Sequence, residues 1–168
     1  MTLRVAFHQT PALRPKTGVG HYTAELLDAL NQLDEDVDIA ALPGGWMADV
    51  YRSAYQWLTP KRKGAGGAAG AKTAARAGML KGLVRRGHQS AQDALFWNLS
   101  RQLKPGRFDL YHEPNLPLLA TDLPTIFTLY DLSLAVMPEH HPAERVAKFE
   151  RQMPIALKQT SHIITISE

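Results

Sequence analysis

Thr17-Gly18-Val19-Gly20-His21-Tyr22 stands between a short apolar run, Leu3-Arg4-Val5-Ala6-Phe7, and an amphipathic run from Tyr22 to Leu33. A strand, a glycine turn and a helix in that order make a site for an anion. Glycines carry no Cβ to cover outward-pointing N–H groups, and the helix adds free N–H groups and the positive end of its dipole. The same Gly-x-Gly also serves as a plain tight turn, and on the turn alone both readings stand. The dinucleotide fingerprint is incomplete, because Thr23 occupies the place of its third glycine or alanine.

Outward from that turn, the chain alternates strand and helix patterns. Leu26, Leu27, Leu30 and Leu33 recur at spacings of three and four, which predicts one apolar helix face. Val37 to Leu42 reads as a second strand closed by Pro43-Gly44-Gly45, and Trp46 to Leu58 as a short aromatic helix. Met79 to Leu103 has helical spacing and stops at Lys104-Pro105-Gly106. Phe108 to His112, Thr125 to Tyr130 and His162 to Ile166 read as strands. Pro142 to Thr160 reads as a helix whose face holds Val146, Phe149, Met153, Ala156 and Leu157 and which Pro154 should kink. Continuous apolar strands alternating with helices predict a mostly parallel α/β sheet, Rossmann-like, with helices on both faces. Ligands of such sheets gather at the carboxyl ends of the strands. The Gly18/Gly20 turn, His112 to Asn115, and Tyr130-Asp131 all fall there.

Composition sets the outer bounds. The chain of 168 residues is one domain, large enough to bury roughly 70% of its extended surface. It has 45% hydrophobic and 21% charged residues, as soluble globular proteins do. No cysteine is present, which excludes disulfides and thiolate metal sites and fits a reducing compartment. No stretch reads as a signal peptide or approaches the roughly 20 apolar residues that span a bilayer. The net charge is +3, yet no acidic residue falls between Asp49 and Asp93, where nine Lys and Arg residues do. Residues 60–78, built from Lys, Arg, Gly and Ala, predict a mobile surface loop.

Five segments resemble the amino-terminal half of retaining GT-B glycosyltransferases, in particular the mannosyltransferase-like members of glycosyltransferase family 4. Pro15-Lys16-Thr17-Gly18-Val19-Gly20-His21-Tyr22 resembles their glycine loop. Phe108-Asp109-Leu110-Tyr111-His112-Glu113-Pro114-Asn115 is similar to their D-hydrophobic-hydrophobic-H-x-P-N strand end, and Thr128-Leu129-Tyr130-Asp131-Leu132-Ser133 to their T-x-H-D-L-S segment. Pro138-Glu139-His140-His141-Pro142 and Ile163-Ile164-Thr165-Ile166-Ser167-Glu168 complete the set in the same order.

The resemblance implies that residues 1–168 are the acceptor-side domain. The donor-binding domain would be missing from the sequence and supplied by the same polypeptide or by a partner chain. Transfer of a hexose, with a leaning to mannose, would run from a nucleotide sugar to a saccharide or lipid-linked saccharide, with retention and without a metal or other cofactor. The domain alone would be inactive. Backbone N–H groups of Gly18, Val19 and Gly20 would meet the donor diphosphate and stabilise the leaving group. The family's catalytic histidine position holds Tyr130, which can donate to a sugar hydroxyl but is no base at neutral pH. Asp131 is a sugar ligand or a helix N-cap. His21, His112, Glu113 and Asn115 would line the acceptor rim; the plainer alternative has His112 and Asn115 holding local loops.

The remaining signals point elsewhere or nowhere. Glu139-His140-His141 lacks a third ligand at metal spacing. Asn98-Leu99-Ser100 matches a glycosylation acceptor but falls in a predicted helix. Residues 61–86 read as a solvated loop or as an attachment to an anionic membrane at the inner face of the cell, in an otherwise cytoplasmic protein. No aromatic interleaving supports nucleic acid. The competing reading is a non-catalytic Rossmann-like module that docks a partner chain or a nucleotide.

Overall fold

A computed structural model describes residues 2–14, 17–33, 36–58, 87, 90 and 93–166. The expected mobile loop 60–78 and the basic stretch 61–86 lie outside these residues. The elements follow in the order β1 (Leu3–His8), a 3-10 turn (Thr10–Leu13), α1 (Gly18–Asn31), β2 (Val37–Leu42), α2 (Gly45–Leu58) and α3 (93–102). They continue with β3 (Leu110–Glu113), β4 (Thr125–Leu129), the short α4 (Ser133–Val136), a second 3-10 turn (Pro138–His140), α5 (Ala143–Gln159) and β5 (His162–Thr165).

The five strands form one sheet in the order β2-β1-β3-β4-β5, and every pair is parallel. This is a Rossmann-like α/β half domain, as the alternating pattern predicts. The register fixes which side chains share a face. Ala6 pairs with Tyr111, and Glu113 with Phe127, while Phe7 pairs with His112. Because side chains alternate along a strand, His8, Tyr111, Glu113 and Phe127 project to one face and Phe7, His112 and Thr128 to the other.

Helices α3 and α5 cover the first of these faces. Leu99 and Leu103 of α3 cluster with Ala6, Leu42, Phe108 and Tyr111. Leu119 and Leu123, from the helix-free connection between β3 and β4, fill the same cluster. Phe149 and Met153 of α5 cluster with Phe127. Helix α1 lies over the other face, where its Tyr22 meets Thr128.

Two helix faces differ from their sequence reading. On α5, Phe149, Met153 and Ala156 are buried, but Leu157 is 52% exposed. Leu157 lies eight residues beyond Phe149, which rotates it by about 80° out of the stripe that the sheet covers. Leu33 falls beyond the end of α1 and is exposed, and the buried positions of α1 are Gly20 and Thr23, at the end nearest the strand tips. Pro154 lies inside α5, which spans Ala143–Gln159 as one helix. The far end of the sheet is clamped by Arg4. Its guanidinium grips the Asp109 carboxylate with contacts of 2.8 and 3.1 Å and reaches the Gly106 carbonyl at 2.6 Å. These contacts push Arg4 up and Asp109 down from their ordinary ionisation ranges. They hold β1 against β3 at the end opposite the functional loops.

Candidate functional site

The strand tips carry two polar clusters, one on each face of the sheet. On the α1 face, His112 is buried, its Nε2 is 3.2 Å from Thr128 Oγ1, and its ring meets Phe7 edge-on. Burial pushes its pKa down to about 4, so the ring is neutral near pH 7. Thr128 also meets the Tyr22 hydroxyl at 3.5 Å. Tyr22 in turn packs edge-on against Tyr130, with ring centres 5.3 Å apart. The Tyr130 hydroxyl is shielded from solvent, yet no group meets it in hydrogen-bond geometry. Burial first, and then the neighbouring Tyr22, raise its ionisation above the ordinary phenol range, so it stays a donor.

The glycine turn sits at the edge of this cluster. Thr17 caps α1, its Oγ1 accepting from the Gly20 N–H at 3.4 Å. The two glycines have different reasons to be there. A Cβ on Gly20 would lie 2.9 Å from the Pro11 carbonyl oxygen, whereas one on Gly18 would meet nothing within 4 Å. Helix α1 therefore approaches the Thr10–Leu13 turn as closely as it does only with glycine at position 20. The N–H groups of Gly18 and Val19 have no partner among the described residues, as expected for a first helical turn. His21 is exposed on the same turn, and its own N–H is tied to the Thr17 carbonyl at 2.9 Å.

On the opposite face, the Glu113 carboxylate is only 1% exposed. It accepts from the Tyr111 hydroxyl, from His8 Nδ1 at 2.7 Å and from the Asn115 N–H at 3.1 Å. Burial and the adjacent carboxylate hold the Tyr111 phenol well above its ordinary range, so Tyr111 donates. With Nδ1 facing Glu113, the other ring nitrogen of His8, Nε2, lies 2.7 Å from the Thr10 hydroxyl, which can accept or donate there. A cavity of about 100 Å³ opens above this network, lined by His8, Thr10, Arg14, Glu113, Asn115 and Lys148 among others.

The structure thus separates residues that the sequence groups on one rim. His112 and Glu113 are adjacent in the chain, so the alternation of β3 sends them to opposite faces. Asn115, beyond the strand, joins Glu113 and not His112. Tyr130 comes together with His112 through Tyr22 and Thr128, and the glycine turn borders that group. Asp131 is exposed; its Oδ1 accepts from Ser133 N–H at 2.8 Å and Ser133 Oγ at 2.6 Å. The Ser133 hydroxyl and then its N–H lower the Asp131 carboxyl below its ordinary range. It holds the turn into α4 from one position ahead of the N-cap, Leu132. Among the described residues no three His, Asp or Glu side chains converge on a metal position. No described helix is long and apolar enough to cross a membrane.

Sequence reasoning missed His8, Thr10, Arg14 and Lys148. The first was legible: His8 ends β1 as His112 nearly ends β3, but the strand was read as stopping at Phe7.

Fold and strand-end clusters define a Rossmann-like half domain with polar groups gathered at its carboxyl edge. Compared with known proteins, the chain is 24% identical over 169 aligned positions to the O-antigen chain mannosyltransferase B of Escherichia coli. The match covers 99% of this chain and 41% of that protein, so the chain spans well under half the length of the relative it matches. No protein-family model matches the chain. No solved structure matches it significantly.

Proposed function

We propose that this chain is the acceptor-side domain of a glycosyltransferase with the GT-B architecture, of the family 4 type. It would transfer a hexose, mannose being favoured, from a nucleotide sugar to a saccharide or lipid-linked saccharide with retention. The observation that carries this reading is the end-to-end similarity to a protein named as a mannosyltransferase. The Gly18-Val19-Gly20 turn and the His112–Tyr130 group sit together on one face at the strand tips, which agrees with it. In this reading the unpartnered N–H groups at Gly18 and Val19 receive the donor diphosphate, and Tyr130 offers its unpaired hydroxyl to the transferred sugar. Asp131 supports the loop, His21 borders the turn, and His112, Glu113 and Asn115 shape the acceptor side. No metal or other cofactor takes part. The donor nucleoside is held by a second domain, in the same polypeptide or a partner chain. The protein works at the cytoplasmic side, where residues 61–86 can meet an anionic membrane.

The test is transfer by the protein expressed from its complete reading frame, supplied with labelled nucleotide hexoses and lipid-linked saccharides. Turnover of a mannose donor with an unchanged anomeric configuration, read by NMR of the product, is the expected result. Absence of transfer from every nucleotide hexose, or an inverted product, overturns the reading. The chain alone should bind nucleotide sugars weakly in calorimetry, and tight binding would contradict its assignment to the acceptor side.

One observation favours a second reading, a non-catalytic module that docks a partner or a nucleotide. The contact with Pro11 requires Gly20 whether or not any ligand binds there. An active full-length protein would remove this reading.

A further inference from the structure

The cavity above the Glu113 network adjoins a second, larger one. The two share Asn115, Leu116 and Lys148, and the larger, about 270 Å³, continues along α5 past Arg145 and Gln152. Among the described residues, Glu113 is the only carboxylate lining either cavity. Its oxygens are already occupied by three donors from within the fold, so it offers little to a ligand. The cations around the cavities are placed differently. Arg14 is held by its Nε–H bond to the Tyr51 hydroxyl at 2.7 Å, and its guanidinium lies 5.8 and 5.5 Å from the Tyr51 and Tyr55 ring centres. Among the described residues, neither Arg14, Arg145 nor Lys148 forms an ion pair.

Among the described residues, three positive side chains therefore line a connected concavity whose one negative group is internally satisfied. Arg145 also feels the Asp131 carboxylate, but Arg14 and Lys148 have no such partner among the described residues, and a concave wall strengthens the field they make. A fixed guanidinium fork paired with an exposed ammonium matches a tetrahedral oxyanion. The smaller cavity suits one such group, and the larger has room for an attached ring.

We infer that this paired cavity binds a phosphate-bearing ligand. The phosphate is held between Arg14 and Lys148, and its organic part runs past Arg145 and Gln152. Pro11 lines the smaller cavity and also meets Gly20, so the site borders the glycine turn from the far side of the Thr10–Leu13 turn and uses different groups. Phosphate binding does not rest on the transferase reading; identifying the ligand as a phosphate-bearing acceptor does.

The experiment is a titration of the chain, followed by ¹⁵N–¹H correlation NMR, with inorganic phosphate, α-D-glucose 1-phosphate and glucose. The expected result is saturable shifts of the Arg14 Nε–H and the Asn115 side-chain amide with both phosphates, tighter for the ester, and none with glucose. Lys148→Gln should weaken binding about tenfold, the loss of one charge-assisted contact. Lys104→Gln, an exposed lysine outside both cavities, should leave it unchanged. Shifts that never saturate, equal binding of glucose, or equal weakening by both variants would overturn the proposal. Equal affinity for the ester and for inorganic phosphate would sustain the phosphate site, assign it to the free ion and remove the acceptor identification. Because none of these arms measures transfer, failure here and failure of the transferase reading are separate outcomes.

Discussion

The two faces of the sheet treat adjacent residues of one strand in opposite ways. Around Glu113 three donors converge on one carboxylate at the centre, at distances no longer than 3.1 Å. Around His112 the contacts stretch to 3.2 and 3.5 Å, the ring is neutral, and the Tyr130 hydroxyl ends without a partner. A saturated buried network specifies one arrangement and resists change, whereas an unsatisfied one leaves hydrogen-bonding capacity for something else. The first is built to position the strand tips and the turn after β1. The second holds spare donors beside the helix terminus where the proposed donor phosphate would lie.

The largest effect should come from breaking the saturated side. Glu113→Ala leaves Tyr111, His8 and the Asn115 N–H facing each other without an acceptor, and should cost about 3–5 kcal/mol in denaturant unfolding. A loss below about 1 kcal/mol would show that water replaces the carboxylate and that the two faces are alike.

Next in size is a pH effect confined to the other side. The folded protein holds the His112 pKa at about 4, below the ordinary value of 6.5. As pH falls below 6.5 the unfolded chain takes up this proton while the folded chain does not, so stability drops until pH reaches about 4. The loss is absent above pH 6.5 and amounts to on the order of 3 kcal/mol by pH 4. His112→Gln should flatten the stability profile between these limits; an unchanged slope would place the titration elsewhere.

The smallest effect separates stability from chemistry. Tyr130→Phe removes a hydroxyl that meets no partner in good hydrogen-bond geometry and has Thr23 as its polar neighbour, so unfolding should change by less than about 1 kcal/mol, in either direction. Under the proposed transfer reaction, the same change in the full-length protein should lower kcat about tenfold through the loss of one hydrogen bond to the transferred sugar. A large stability loss instead would mean that the hydroxyl is already employed in holding the fold.

Much of this arrangement can be read from the sequence, and the rest has identifiable reasons for being hidden. The strands, their parallel packing and the glycine turn follow from local patterns: short apolar runs, Pro and Gly punctuation, and helix-spaced leucines. The separation of His112 from Glu113 also follows from the period of two, once β3 is known to be a strand in the middle of a sheet. The pairing of His8 with Glu113 does not, because it spans 105 residues and depends on β1 and β3 being neighbours. The convergence of Arg14 and Lys148 is hidden more deeply still. It depends on the rotation of α5 and on how the turn after β1 packs against α2, and neither has a local signature. Leu157 illustrates the same limit, since its helix stripe is cut by how much sheet lies beneath it.

Gly20 and Gly18 differ in a way that a mutational library would turn into a measurement. Randomise both codons and select only for folded protein. The carbonyl of Pro11 should return glycine alone at position 20, while position 18 accepts a broad alphabet. Select next for sugar transfer, and any narrowing at position 18 is owed to the ligand and to nothing in the fold. The pair acts as an internal reference and a reporter two residues apart, so one sequencing experiment can separate selection for shape from selection for use.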